Sequence, residues 1–216
     1  MDTNAEPVRR PQRLTAVLIV VALALVLAAL IAMIESATRE RTRRNEQAWI
    51  QQRLDVLVPP DRHDNDLLTD RIDVVSPDIL GVAQPVTIYR ARQSSEPVAA
   101  VFRTVAPDGY HGPIELLVAI AYDGSLLGVQ VVRHKETAGL GDQFENRRTD
   151  WLPAFRGKSL SDPPQQRWSV RQDGGDFDGF TGATITPRAI VRATRRALEY
   201  YGAQRDRIFA STPPQQ

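Results

Sequence analysis

A chain of 216 residues with 27 lysines and arginines against 26 aspartates and glutamates, a formal charge of +1, has the length for one medium domain with appendages. It lacks the cationic excess on which nucleic-acid binding draws, so no nucleic-acid partner is expected. It contains no cysteine, which excludes disulfides, thiolate metal sites and cysteine-ligated iron–sulfur clusters, so any redox chemistry must be borrowed.

In chain order, residues 1–13 form a short stub. The run LTAVLIVVALALVLAALIAMI, Leu14 to Ile34, carries no charge and is long enough to cross the core of a bilayer. It exceeds the apolar centre of a cleavable signal peptide, and Glu35 stands where a cleavage site would need a small residue. Every face of it is apolar, whereas a globular helix keeps a polar face. These features predict an uncleaved transmembrane helix over 14–34. Arg9, Arg10 and Arg13 precede it and Arg39, Arg41, Arg43 and Arg44 follow it, so flanking charge does not orient it. Long domains cross largely regardless of such charge, and the expected arrangement is a cytoplasmic stub with an exported C-terminal domain.

Residues 35–84 are read as a juxtamembrane helix and linker. Ile50, Leu54, Leu57 and Val58 recur at helical spacing, and Pro59-Pro60 ends the element. His63 with Asp61, Asp64 and Asp66 has the composition of a metal cluster, but the turn-rich stretch supplies no fixed face for converging ligands and reads as solvated loop.

From Pro85 the chain changes to short β-branched and aliphatic runs, VTIYRAR, PVAAVFRTVA, IELLVAIAY and LLGVQVVRH. Asp123-Gly124 between the last two predicts a tight antiparallel hairpin. The nearly all-apolar run Ile114–Tyr122 is expected in the middle of the sheet, covered on both faces. A Gly-rich loop, a short helix around DWLPAF and a turn-rich passage follow. The chain then enters a helix after Thr186, with Ile190, Thr194, Ala197, Leu198 and Tyr201 on one stripe and Arg188, Arg192, Arg195, Arg196 and Glu199 elsewhere. Strands followed by a helix, without βαβ alternation, define an α+β domain over 85–208, with a disordered tail at 209–216.

The helix start is crowded with hydroxyls. In TGATITP, Thr181 to Pro187, Thr186 is predicted as N-cap and Pro187 suits the first turn. Gly182, Ala183 and the two other threonines are not explained by capping; they open the backbone to close approach, and an anion such as phosphate is the natural visitor at a helix N-terminus. Neither a Walker loop nor a GxGxxG fingerprint is present.

DGFTGAT, Asp178 to Thr184, resembles the flavinylation motif D-x-x-[ST]-G-A-[ST], whose final hydroxyl residue carries FMN through a phosphoester. Upstream, GYHGPIELLVAIAYDGSLLGVQVVRHKETAGLGD, Gly109 to Asp142, is similar to the FMN-binding domain in the G subunit of the Rnf ion-translocating electron-transport complex, with its GYxGxI and HxETxGLGD signatures. With the anchor, the resemblance covers most of the chain. The family string reads ETPGLG, and this chain has Ala138 at the proline position.

The resemblance implies covalent FMN on Thr184, with Asp178, Thr181, Gly182 and Ala183 completing the motif. It implies a flavin-contacting loop of Glu136, Thr137, Gly139, Leu140 and Gly141, the glycines laying main chain against the ring and Glu136 and Thr137 meeting its edges. A threonine hydroxyl without an adjacent base is a poor nucleophile, so a separate enzyme is expected to make the attachment, and the resemblance implies a flavin transferase using FAD and a divalent metal. The implied setting is a bacterial inner membrane, with a periplasmic domain and membrane and iron–sulfur partner subunits. There the complex passes electrons between ferredoxin and NAD, coupled to ion movement; the chain is a redox subunit that alone catalyses little. The related C subunit of sodium-translocating NADH:quinone reductase and a flavin-free anchored binding module stand as alternatives. His134 with Glu136 reads as a loop-fixing pair rather than metal ligands, and Trp151 and Trp168 as core rather than flavin-stacking residues.

Overall fold

The computed structural model describes residues 10–145 and 150–210, with side chains placed at 15–35, 45–145 and 150–210; most of the stub and residues 211–216 of the expected tail lie outside them. The chain divides into two compact units, Met1–Trp49 and Ile50–Gln216.

The first unit is made by helix α1, Arg10–Leu57, whose last turns belong to the second. Within it Thr15–Glu35 has a mean hydropathy of 3.3 and no buried surface, so it is long and apolar enough to cross a membrane. The expectation of a separate juxtamembrane helix is corrected to a single 48-residue element. The physical reason is that neither glycine nor proline occurs between Gln12 and Val58, so nothing breaks the ladder until Pro59 removes a donor.

The second unit is built on a five-stranded antiparallel sheet in sequential order: β1 Arg71–Val74, β2 Val86–Gln93, β3 Glu96–Gly109, β4 Gly112–Ala121 and β5 Leu126–Arg133. Hairpins between successive strands give this meander its order. The Asp123-Gly124 turn closes β4 onto β5 as the dipeptide predicts, with the Ser125 amide and hydroxyl both donating to Asp123. The central strand is β3 rather than β4, because β1, four residues inside the stretch read as linker, adds a strand on the far side. β4 is nevertheless paired on both edges. The compact unit thus begins at Ile50 and not at Pro85: Ile50, Leu54, Leu57, Val58 and Leu67 are all buried, and Leu57 packs against Gly128 of β5.

Alternation explains the continuous apolar run of β4. Ile114, Leu116, Val118 and Ile120 join Ala100 and Phe102 of β3 in the main core, while Leu117, Ala119, Ala99 and Val101 face the other way and are equally buried. The main core is capped by α3, Ile185–Ile208, through Ile190, Thr194, Ala197, Leu198 and Tyr201. Burying each such large side chain stabilises by roughly 1.5–3 kcal/mol. Burial also pushes the Tyr201 phenol well above the usual tyrosine range, and its hydroxyl donates to the Tyr122 carbonyl at 3.1 Å. A short helix α2, Pro77–Leu80, packs beside α3.

The far end of α3 is clamped. Arg90 donates to the carbonyls of Ile208 and Ala210, and Arg92 to that of Phe209, while Asp70 accepts from both guanidinium groups. Charged donors at the last carbonyls of a helix satisfy groups that the helix leaves unpaired. Phe209, expected in the disordered tail, is instead buried and packs edge-on against Tyr122 and Tyr201.

Candidate functional site

Three separated segments converge on one cleft of about 410 Å³. The β3–β4 turn contributes Tyr110 and His111, the loop after β5 contributes Glu136, Thr137, Leu140 and Gly141, and the start of α3 contributes Gly182 through Thr186. The volume lies within the roughly 300–1,000 Å³ usual for small-molecule sites.

Helix α3 begins two residues earlier than the threonines alone indicate. Thr184 occupies the N-cap position and makes no side-chain capping bond. The expectation that Thr186 caps is therefore corrected: it sits inside the first turn, fully buried, and its hydroxyl donates to the Glu136 carboxylate across the cleft wall. Phe180 anchors the preceding turn by packing on Trp151 and Phe144, and the Ala183 amide donates back to the Phe180 carbonyl. The result is an uncommitted Thr184 hydroxyl at the head of a 24-residue helix. The first-turn amides of Ile185 and Thr186 have no intrahelical acceptor, and Pro187 has no N–H to offer.

The loop after β5 is held by its own turn. The Leu140 and Gly141 amides both donate to the Thr137 carbonyl, and Gly139 has φ +78°. Glu136 is buried, and each carboxylate oxygen has a protein donor: the His111 amide at 3.1 Å on one, the Thr186 hydroxyl on the other. Its own amide donates to His134 Nδ1 at 3.1 Å, and His134 Nε2 meets Glu145 at 2.8 Å. His134 is thus a loop-fixing residue, and among the described residues no group of three metal-ligating side chains exists. Gly141 lies against Glu136: a Cβ there would stand 2.9 Å from Glu136 Cβ and Oε2. What this glycine admits is a protein side chain.

Of the residues expected at the site, Thr184, Gly182, Ala183, Glu136, Thr137, Leu140 and Gly141 line the cleft, whereas Asp178, Thr181 and Gly139 do not. The Asp178 carboxylate pairs with Arg171 at 3.0 Å in a neighbouring hollow, and its carbonyl accepts from the Trp151 indole at 2.8 Å. Thr181 offers its carbonyl to Gln143. Trp151 and Trp168 belong to the core. Tyr110, His111 and Ile185 are lining residues that sequence reasoning did not single out, and Thr186, read as a cap, lines the cleft as well; the GYHG string contained the first two. His111 Nδ1 and the Thr137 hydroxyl are hydrogen-bonded at 3.1 Å.

The donor set fits a flat, phosphorylated ring. Tyr110, Leu140 and Ile185 stand exposed around the cleft and give it an apolar surface. The helix start and the Thr184 hydroxyl give it a polar end suited to an anion. Among the described residues, the lining contains no lysine or arginine.

The fold is that of a flavin-binding module: residues 109–199 match the FMN-binding domain family. The chain is also 43% identical to the G subunit of the ion-translocating oxidoreductase complex of Shewanella loihica, over 86% of its own length and 88% of the relative's. The corresponding G subunits of Pseudomonas aeruginosa and Vibrio cholerae are 43% and 41% identical over 87% and 91% of this chain, and over 87% and 94% of theirs. The chain belongs to the family formed by the G subunits of ion-translocating oxidoreductase complexes.

Proposed function

We propose that the chain is the FMN-carrying subunit of an ion-translocating oxidoreductase complex, with the flavin esterified through its phosphate to Thr184. The observation that carries this reading is the uncapped Thr184 hydroxyl at the N-terminus of α3, opening on the cleft. Bound FMN would supply reversible one- and two-electron transfer. The protein's part is to hold and surround it. Thr184 bears the ester, the first-turn amides of α3 favour the remaining phosphate charge, and Tyr110, Leu140 and Ile185 exclude water from the ring.

The Thr184 hydroxyl makes no side-chain capping bond, the carboxylate of the cleft is committed to the His111 amide and the Thr186 hydroxyl, and His111 Nδ1 is engaged by Thr137. Attachment is therefore the work of a separate flavin transferase. The apolar segment Thr15–Glu35 anchors the chain in the bacterial inner membrane, with the flavin domain on the periplasmic side. Membrane and iron–sulfur subunits are the electron partners, in a complex that exchanges electrons between ferredoxin and NAD.

Full-length protein coexpressed with a flavin transferase should run as a fluorescent band under denaturing conditions. Its intact mass should exceed the polypeptide by FMN less one water. Thr184→Ala should abolish the increment and Thr184→Ser should retain it. An unmodified wild-type mass under these conditions would overturn the reading.

A further inference from the structure

Among the described residues Glu136 is the sole carboxylate lining the cleft, and no lysine or arginine lines it to compensate. Both of its oxygens are occupied by protein donors, one from the β3–β4 turn and one from the first turn of α3. Gly141 leaves room for it, and its amide is tied to His134. Each carboxylate oxygen is thus held in place by one protein donor, which uses one of its acceptor positions. The carboxylate acts on whatever fills the cleft through its field.

We propose that Glu136 is a positioning residue that sets the reduction potential of the cleft's flavin: its fixed negative charge opposes arrival of electrons, and the Thr186 hydroxyl attenuates that charge. This rests on the flavin assignment above. Charge near the flavin ring system is one of the levers by which a protein tunes its electronics, and in a partly desolvated cleft the effect is stronger than in water. The two neighbours make opposite predictions. Neutralising the charge in Glu136→Gln should raise the midpoint potential. Removing only the donor in Thr186→Val should leave the carboxylate less compensated and lower it.

The test is a spectroelectrochemical titration of full-length, flavinylated protein in detergent, with loading verified by intact mass. For Glu136→Gln a tenfold shift of the two-electron equilibrium toward reduction, about 30 mV, is the expected scale, and Thr186→Val should shift in the opposite direction. Shifts of the same sign in both variants, or none, would overturn the proposal, because loosened packing does not distinguish the sign of charge. If Glu136→Gln does not load, Thr186→Val decides alone: a lower potential supports the assignment, and an unchanged or higher one sinks it. Loss of loading in both folded variants makes the pair an assembly element and overturns the electrostatic role. Failure of the flavin reading is separate, since wild type would then carry no mass increment.

Discussion

The Thr186 hydroxyl donates to a Glu136 carboxylate that lies 50 residues away in sequence. This bond ties the first turn of α3 to the loop after β5, two of the three segments that line the cleft. Thr186→Val keeps the shape and leaves one oxygen of a buried charge without its donor. Hydrogen bonds to charged groups contribute about 1.5–3 kcal/mol, and chemical denaturation followed by tryptophan fluorescence should show a loss in that range. A loss below about 0.5 kcal/mol, the low end for an ordinary hydrogen bond, would mean the bond is replaced by water or rearrangement.

Two glycines of the same loop should fail differently. Gly141→Ala places a Cβ against Glu136 and should cost about 1–3 kcal/mol through overpacking, with the flavin's midpoint potential shifted as Glu136 is displaced. Gly139 has open space around it but a positive φ, so Gly139→Ala should cost about 1–2 kcal/mol through backbone strain while leaving the potential unchanged. Equal shifts of potential in both would contradict the role assigned to Gly141.

Ala138→Pro should stabilise the chain. The bond from the Leu140 amide to the Thr137 carbonyl, with a positive φ at Gly139 and none at Ala138, is the pattern of a type II turn. Such turns favour proline at the second position. A compatible X→Pro change stabilises by about 0.4–1 kcal/mol, to be read as a raised denaturation midpoint with unchanged slope. Destabilisation would show that the position needs its N–H.

Acid should weaken the start of α3. Arg188 donates both arms of its guanidinium to Asp173 at 2.6 Å and holds that carboxyl below its ordinary value of 3.8. A depressed folded value means that the contribution is present above the unfolded value and is lost as pH falls through the folded one. The stability of Asp173→Asn should therefore fall less steeply than wild type below about pH 4. Parallel acid limbs in the two proteins would remove Asp173 from the account.

Much of the architecture was legible because single local rules decided it: the uncharged run of the anchor, the Asp-Gly hairpin, the stripe of α3. Legibility ended where a long-range partner decided. Thr184 and Thr186 are equally good caps locally, and the choice falls on Thr184 because burial against Glu136 draws Thr186 into the helix. β1 was hidden because four residues with one buried position, Ile72, carry too little alternation to stand out from turn-rich sequence. The continuity of α1 was readable in principle, from the lack of glycine and proline, and was obscured by the charged run after Glu35. At the site, motif and cleft overlap only partly. Asp178 and Thr181 shape the turn that presents Thr184, and do so from outside the cleft.

The want of a cationic side chain among the described lining residues bears on retention. A pocket that meets a phosphate with backbone dipoles and a neighbouring carboxylate has a weak hold on any freely exchanging mononucleotide, and its occupancy would follow the surrounding supply. The ester proposed at Thr184 would remove that dependence: once installed, the pigment would stay for the lifetime of the polypeptide, and the number of loaded carriers would be set by synthesis and maturation instead of by dilution.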